Sequence, residues 1–126
     1  MVWKGAGGDP GIWWTTFDGK QWRPSGQQKI PGAGASQRPA LAVFKGVLYM
    51  AWKGVGNDPN IFFTTYTDKG GWTAQQHIPN VGTSDGPALT VYGNGLYLAW
   101  VGCGGGSEHL VESSLGWPLL GAATPC

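Results

Sequence analysis

"VWKGAGGDPGIWWTTFDGKQW" (residues 2–22) and "AWKGVGNDPNIFFTTYTDKGGW" (residues 51–72) are two versions of one stretch. Trp3 recurs at Trp52, 49 residues on, and again at Trp100, 48 residues further; Ile12 recurs at Ile61, Thr15-Thr16 at Thr64-Thr65, and Trp22 at Trp72. The match runs on downstream, where "QQKIPGAG" (27–34) answers "QQHIPNVG" (75–82) and "RPALAVFKGVLYMAW" (38–52) answers "GPALTVYGNGLYLAW" (86–100). A repeat of this length decides the architecture before any motif does, because one unit cannot bury its apolar faces alone and must stack on its neighbours.

One period holds four strand-like runs separated by turn residues. "ALAVF" (40–44) meets a turn at Lys45-Gly46 and then "VLYMAW" (47–52), in which Leu48, Met50 and Trp52 share one face and Tyr49 and Ala51 the other. The loop "KGVGNDPN" leads to "IFFTTY" (61–66), where Ile61, Phe63 and Thr65 alternate with Phe62, Thr64 and Tyr66, and the fourth run is "WTAQQHI" (72–78), closed by Pro79. Four short antiparallel strands in about 45–50 residues is the size of a β-propeller blade. A β-sandwich needs no near-identical copies, glycine and period-two alternation exclude a helical solenoid, and a trefoil-like unit would come in three copies of similar quality. The third copy here is poor: from Trp100 it keeps Gly102, an apolar-to-serine run at Leu110 to Ser114 and Trp117, but loses the Asp-Pro and the Gln-Gln-x-Ile-Pro.

The expected fold is therefore all-β, one module over 1–126 with about 2 to 2.5 four-stranded blades, its copies at about 3–51, 52–99 and a degenerate 100–126. Val2-Trp3 corresponds to Ala51-Trp52, so the chain enters its first blade at the end of a second strand. A propeller ring needs at least about four blades, so closure is expected from a homo-oligomer, a dimer giving five blades or a trimer six. An open pair of blades would leave an apolar face and a strand edge uncovered.

Composition narrows the partners. Only 12% of residues are charged and the formal net charge is +1, which removes the basic field that nucleic acid or anionic membrane binding relies on. No apolar run approaches the ~20 residues of a membrane helix, and "MVWKGAGGDP" lacks the apolar stretch of a signal peptide, so a soluble chain without membrane insertion is expected. The 23 glycines, 9 prolines and 8 tryptophans suit tight turns between short aromatic strands. Cys103 and Cys126 read first as two incidental thiols, with one bridge pinning the tail as the alternative.

The pattern xPALAVF-x-G-x-LYMAWKG followed by IxxTTxDGxxW resembles the repeats of bacterial and fungal β-propeller lectins, the group of tectonin-like, tachylectin-like and fucose-binding propellers, over residues 1 to about 102. "TTFDGKQW" (15–22) is also similar to the sialidase Asp-box, although its spacing departs from that motif and "TTYTDKGGW" carries an extra residue. The resemblance implies glycan partners, small propellers assembled from several chains, and a secreted or extracellular setting.

Two roles compete for each conspicuous residue. Trp3, Trp52 and Trp100 end second strands and Trp22, Trp72 and Trp117 begin fourth strands; tryptophan at such sites packs the core or offers its negative face to the C–H face of a pyranose. Trp13 and Trp14, matched by Phe62 and Phe63, lie on opposite faces of one strand. In "KGAGGDP" (4–10) and "KGVGNDP" (53–59), Asp-Pro starts a turn, or Lys and Asp converge at the rim between blades to hydrogen-bond sugar hydroxyls. Gln27-Gln28 and Gln75-Gln76 read as solvated edge positions. The expected ligand-binding set is Lys4, Asp9, Trp14, Trp22, Lys53, Asp58, Phe63 and Trp72.

No catalytic residue, metal or cofactor is expected. His77 and His109 are isolated, Arg23 and Arg38 are too few for a sialidase carboxylate clamp, and Asp9 and Asp58 occupy equivalent environments, unlike the contrasting pair a glycosidase needs. Equivalent sites instead add avidity for multivalent glycans. The expected function is a carbohydrate-binding, lectin-like propeller module with shallow sites. A second reading is a structural or engineered fragment of a larger propeller, with repeats that serve assembly only.

Overall fold

A computed structural model describes residues 1–23, 26–102 and 108–113, the last segment as backbone alone. Among these residues the chain is all-β, with eleven strands and no helix. The first sheet orders β1 (Val2–Lys4), β2 (Gly11–Trp14) and β3 (Gln28–Gly34). The second joins β4 (Ala40–Phe44), β5 (Val47–Lys53), β6 (Ile61–Thr67) and β7 (Gly71–Trp72), with β8 (Gln76–His77) also on β6. The third holds β9 (Ala88–Tyr92), β10 (Gly95–Val101) and β11 (Glu108–Ser113). Every strand pair is antiparallel.

The β4–β5 hairpin closes at Lys45-Gly46, whose φ angles of 50° and 77° give the two-residue turn that matches strand twist. The fourth run, read from the sequence as one strand over 72–78, is two short strands. Between them Thr73 keeps one backbone bond, its amide donating to Thr65 O at 2.9 Å, and adds side-chain bonds: its Oγ1 accepts from the Thr65 amide at 3.1 Å, and its carbonyl accepts from Thr64 Oγ1 at 2.6 Å. Hydroxyls of Thr64 and Thr73 thus supplement the backbone bonding where the regular ladder ends. In the degenerate third copy β11 pairs with β10 from Leu96↔Ser113 to Val101↔Glu108, so this copy forms a third strand. Trp117, Cys103 and Cys126, and the question of a bridge between the two cysteines, lie outside the described residues.

The sheets stack in chain order and share two apolar layers. Ile12, Ile30 and Ala33 of the first sheet meet Met50 and Trp52 of the second, with Trp14 and Leu41 packed alongside. Ile61, Ile78 and Val81 meet Leu98 and Trp100 of the third sheet, with Phe63 and Leu89 alongside. These two lists are the same residues one repeat apart. The alternation in β5 explains why: Met50 and Trp52 point to the preceding sheet, Ala51 to the following one, and all three are 0–1% exposed. A strand covered on both faces loses the polar half of its alternation, so β5 ends in the buried run Met50–Lys53.

Candidate functional site

The Asp-Pro loops are built alike. Backbone bonds from Gly54 N–H to Asn60 O (3.0 Å) and from Asp58 N–H to Val55 O (3.0 Å) close the second loop, and Gly5 to Gly11 (2.8 Å) and Asp9 to Ala6 (3.1 Å) close the first. Each aspartate folds back over a glycine. A Cβ on Gly5 would lie 2.2 Å from Asp9 Oδ2 and one on Gly54 2.5 Å from Asp58 Cγ, so only glycine fits there.

Each lysine is turned into its own loop. Lys53 Nζ, on a residue only 6% exposed, donates to Gly56 O at 2.8 Å and to Ser36 Oγ at 3.0 Å, with Gly54 O at 3.5 Å. Ser36 Oγ in turn donates to Gly54 O at 2.8 Å, so the ammonium ties the second loop to the segment that leaves the first sheet. Lys4 Nζ donates to the carbonyls of Gly5, Gly7 and Asp9 at 3.1 to 3.2 Å. The ammonium groups hold loop carbonyls and do not pair with the aspartates.

Three clefts open beside these loops: one of about 420 Å³ is lined by Lys53 with Ser36, Asn57, Pro59 and Thr83, and the other two share one plan. The larger of these two, about 340 Å³, lies where the first and second sheets meet, with the Gly32–Gly34 backbone on one side and Trp52, Val55, Asp58 and Phe62 on the other, beside Gln75. The other, about 300 Å³, is lined by Trp3, Gly5, Ala6, Asp9, Trp13 and Gln27. Position for position these are Trp52, Gly54, Val55, Asp58, Phe62 and Gln75 one repeat earlier. The larger cleft has in addition the glycine wall of the preceding sheet.

The carboxylates differ in their partners. Asp9 Oδ1 accepts from the Gly11 amide at 2.9 Å and Oδ2 from the Trp13 indole at 2.9 Å, while Lys29 Nζ stands 3.9 Å from Oδ1. The Gly11 bond first, then the Trp13 bond, with Lys29 and Lys4 adding attraction, hold the Asp9 carboxyl below the usual carboxylate range. Asp58 Oδ1 accepts from both the amide (3.0 Å) and the side chain (2.8 Å) of Asn60.

Of the eight residues expected to bind ligand, Asp9 and Asp58 line the two repeated clefts and Lys53 the third. Trp14 and Trp72 instead meet edge to face at 5.6 Å and pack with Tyr66 in a cluster joining the first two sheets. Phe63 packs on the layer between the second and third sheets. Trp22 is half exposed, lies 5.1 Å from Phe17, and lines a shallow hollow with Met1, Trp3 and Arg23. The aromatic cleft walls are Trp3 with Trp13 and Trp52 with Phe62, the other member of each aromatic pair. The sequence signal for them was the recurrence of Gln27 and Gln75, which mark the same side of the sheet as the clefts. Among the described residues no group of three His, Cys, Asp or Glu side chains is placed to hold a metal ion. Comparisons with protein-family models, with curated proteins and with solved structures found no match.

Proposed function

We propose that the chain is a carbohydrate-binding, lectin-like module of the β-propeller type, and that several copies complete the ring. The observation that carries the reading is the doubled cleft: an aromatic wall, an aspartate folded over glycine and a glutamine, at repeat-equivalent positions. An open, partly apolar cleft with one carboxylate suits a pyranose, whose C–H face stacks on an aromatic ring while its hydroxyls donate to the carboxylate. The stacking of sheets through equivalent residues supports the propeller part of the proposal. Trp3 is half-buried where its equivalents Trp52 and Trp100 are buried, which favours a further sheet against it, supplied by another copy.

That last observation also favours a second reading, in which the repeats serve assembly alone. One experiment separates the two. The chain is applied to a glycan array and its mass measured by light scattering, beside an Asp9→Ala/Asp58→Ala variant. The lectin reading expects glycan binding that the double substitution abolishes while the multi-chain mass stays; assembly without binding to any glycan leaves the second reading standing.

A further inference from the structure

The two clefts share a plan but are not chemically equal, and three repeat differences account for it. Gly11, Trp13 and Lys29 of the first copy are Asn60, Phe62 and His77 in the second. In the first copy all three engage Asp9: the glycine amide and the indole each donate to one carboxylate oxygen, and the lysine ammonium stands beside it. Lys29 also fills the space a larger residue at position 11 would need, since a Cβ on Gly11 would lie 2.3 Å from Lys29 Cε. In the second copy the phenylalanine has no N–H to donate, and Asn60 takes only Oδ1. Asp58 Oδ2 has no hydrogen-bond donor among the described residues, although Asp58 lines the larger cleft.

We infer that the cleft between the first and second sheets is the working site of the pair, and that it takes the vicinal hydroxyls of a neutral pyranose on Asp58, while Trp13 closes the carboxylate of the other cleft. The inference rests on the lectin reading and specifies its site, stoichiometry and ligand class. An ionised carboxylate with a free oxygen accepts short O–H···O⁻ bonds from a diol, which are about twice as strong as neutral ones. Its negative charge disfavours sialic acids and sulfated sugars, which places the preference with neutral rings. Phe62, held parallel to Trp52 at 5.9 Å, provides the aromatic wall. The facing wall is backbone at Gly32 and Gly34, where the added Cβ of Gly34 would meet Val55 at 2.9 Å, so glycine there keeps the cleft open. The same cleft is complete within one chain, because both of its walls come from described sheets.

The test uses the full chain with four free monosaccharides, D-galactose, D-glucose, D-mannose and L-fucose, and N-acetylneuraminic acid as the acidic probe. Calorimetry is expected to give one site per chain for at least one neutral sugar and binding at least tenfold weaker for the acidic one. Amide shifts in a titration followed by nuclear magnetic resonance are expected at Gly32–Gly34 and Val55–Asp58 and not at Gly5–Gly8. Asp58→Asn and Phe62→Trp, the second of which copies the Trp13 cap, are each expected to weaken binding tenfold or more; Asp58→Asn changes one atom in a half-exposed loop and keeps the fold. Two equal sites per chain, shifts in both loops, equal or tighter binding of the acidic probe, or undiminished binding by Asp58→Asn would overturn the inference and leave the lectin reading intact. Failure of the wild-type chain to bind any of the five sugars overturns the inference, and an empty glycan array besides removes the lectin reading.

Discussion

Trp52 lies on Phe62 with ring centroids 5.9 Å apart and planes inclined by only 21°, across a directly opposed pair of β5 and β6. Trp52 is 1% exposed and its indole Nε1 has no hydrogen-bond partner among the described residues, so it contributes through apolar area and stacking while carrying the cost of an orphan donor. Trp52→Ala is expected to destabilise the chain by about 3–5 kcal/mol, the range for deleting a buried aromatic. Trp52→Phe removes the orphan donor and is expected to cost less than half as much. Urea denaturation followed by circular dichroism measures both.

Acid should weaken the first copy through two aspartates. Asp9 is held low by the Gly11 amide and the Trp13 indole, and Asp18 by the amides of Gln21 and Lys20. A carboxyl lower in the folded than in the unfolded chain stabilises the fold above its unfolded value and loses that contribution as the pH falls through the folded one. Stability is thus expected to drop from about pH 4 downward. The Asp9→Asn/Asp18→Asn variant should lose less stability between pH 6 and pH 3 than the native chain, as read by urea midpoints. An equal drop in both would show that these carboxyls carry none of it.

Replacing Lys53 separates a buried ammonium from its half-buried twin. Lys53→Met leaves the carbonyl of Gly56 and the hydroxyl of Ser36 without their charged donor, a loss of about 1.5–3 kcal/mol. Lys4→Met opens similar carbonyls to water and should cost under about 1 kcal/mol. Thermal melts of the two variants measured side by side give the ranking.

Gly32, in the irregular stretch of β3, and Asn80, in the turn that follows β8, are repeat-equivalent and have φ of 73° and 63°. Asn80→Gly should be neutral to slightly stabilising, because glycine adopts this backbone freely. Gly32→Ala should cost about 1–2 kcal/mol from left-handed strain alone, since nothing lies within 4 Å of the new methyl. Chemical denaturation of the two variants checks the opposite signs.

Much of this was legible in the sequence for a physical reason: strand alternation and turn chemistry are local. The Lys45-Gly46 hairpin and the division of β5 into Met50 with Trp52 against Ala51 follow from such rules. The cleft walls were less legible. Alternation says that Phe62 and Phe63 part company, but when a sheet is covered on both sides both residues are apolar, and only packing decides which one borders an opening. The hydrogen bonds of Lys4 and Lys53 were not legible for a different reason, since most of their partners are backbone carbonyls, which every residue has and no sequence pattern displays. The break after Trp72 comes with hydroxyl bonds of Thr64 and Thr73 that supplement the backbone bonding, which a run of strand formers conceals.

The matching of the two apolar layers has a consequence for how such a molecule grows. The first sheet offers a socket, Ile12 with Ile30 and Ala33, the third a plug, Leu98 with Trp100, and the second sheet both, the plug Met50 with Trp52 and the socket Ile61 with Ile78 and Val81. Duplicating one repeat therefore copies a complete joint and requires no new complementary surface. Folding energy in such an array is close to a sum of unit and nearest-neighbour terms. The strand that leads into the weak third copy, β10, is seated through Leu98 and Trp100 in the socket at Ile61, Ile78 and Val81, so among the described residues this joint draws on none beyond Trp100.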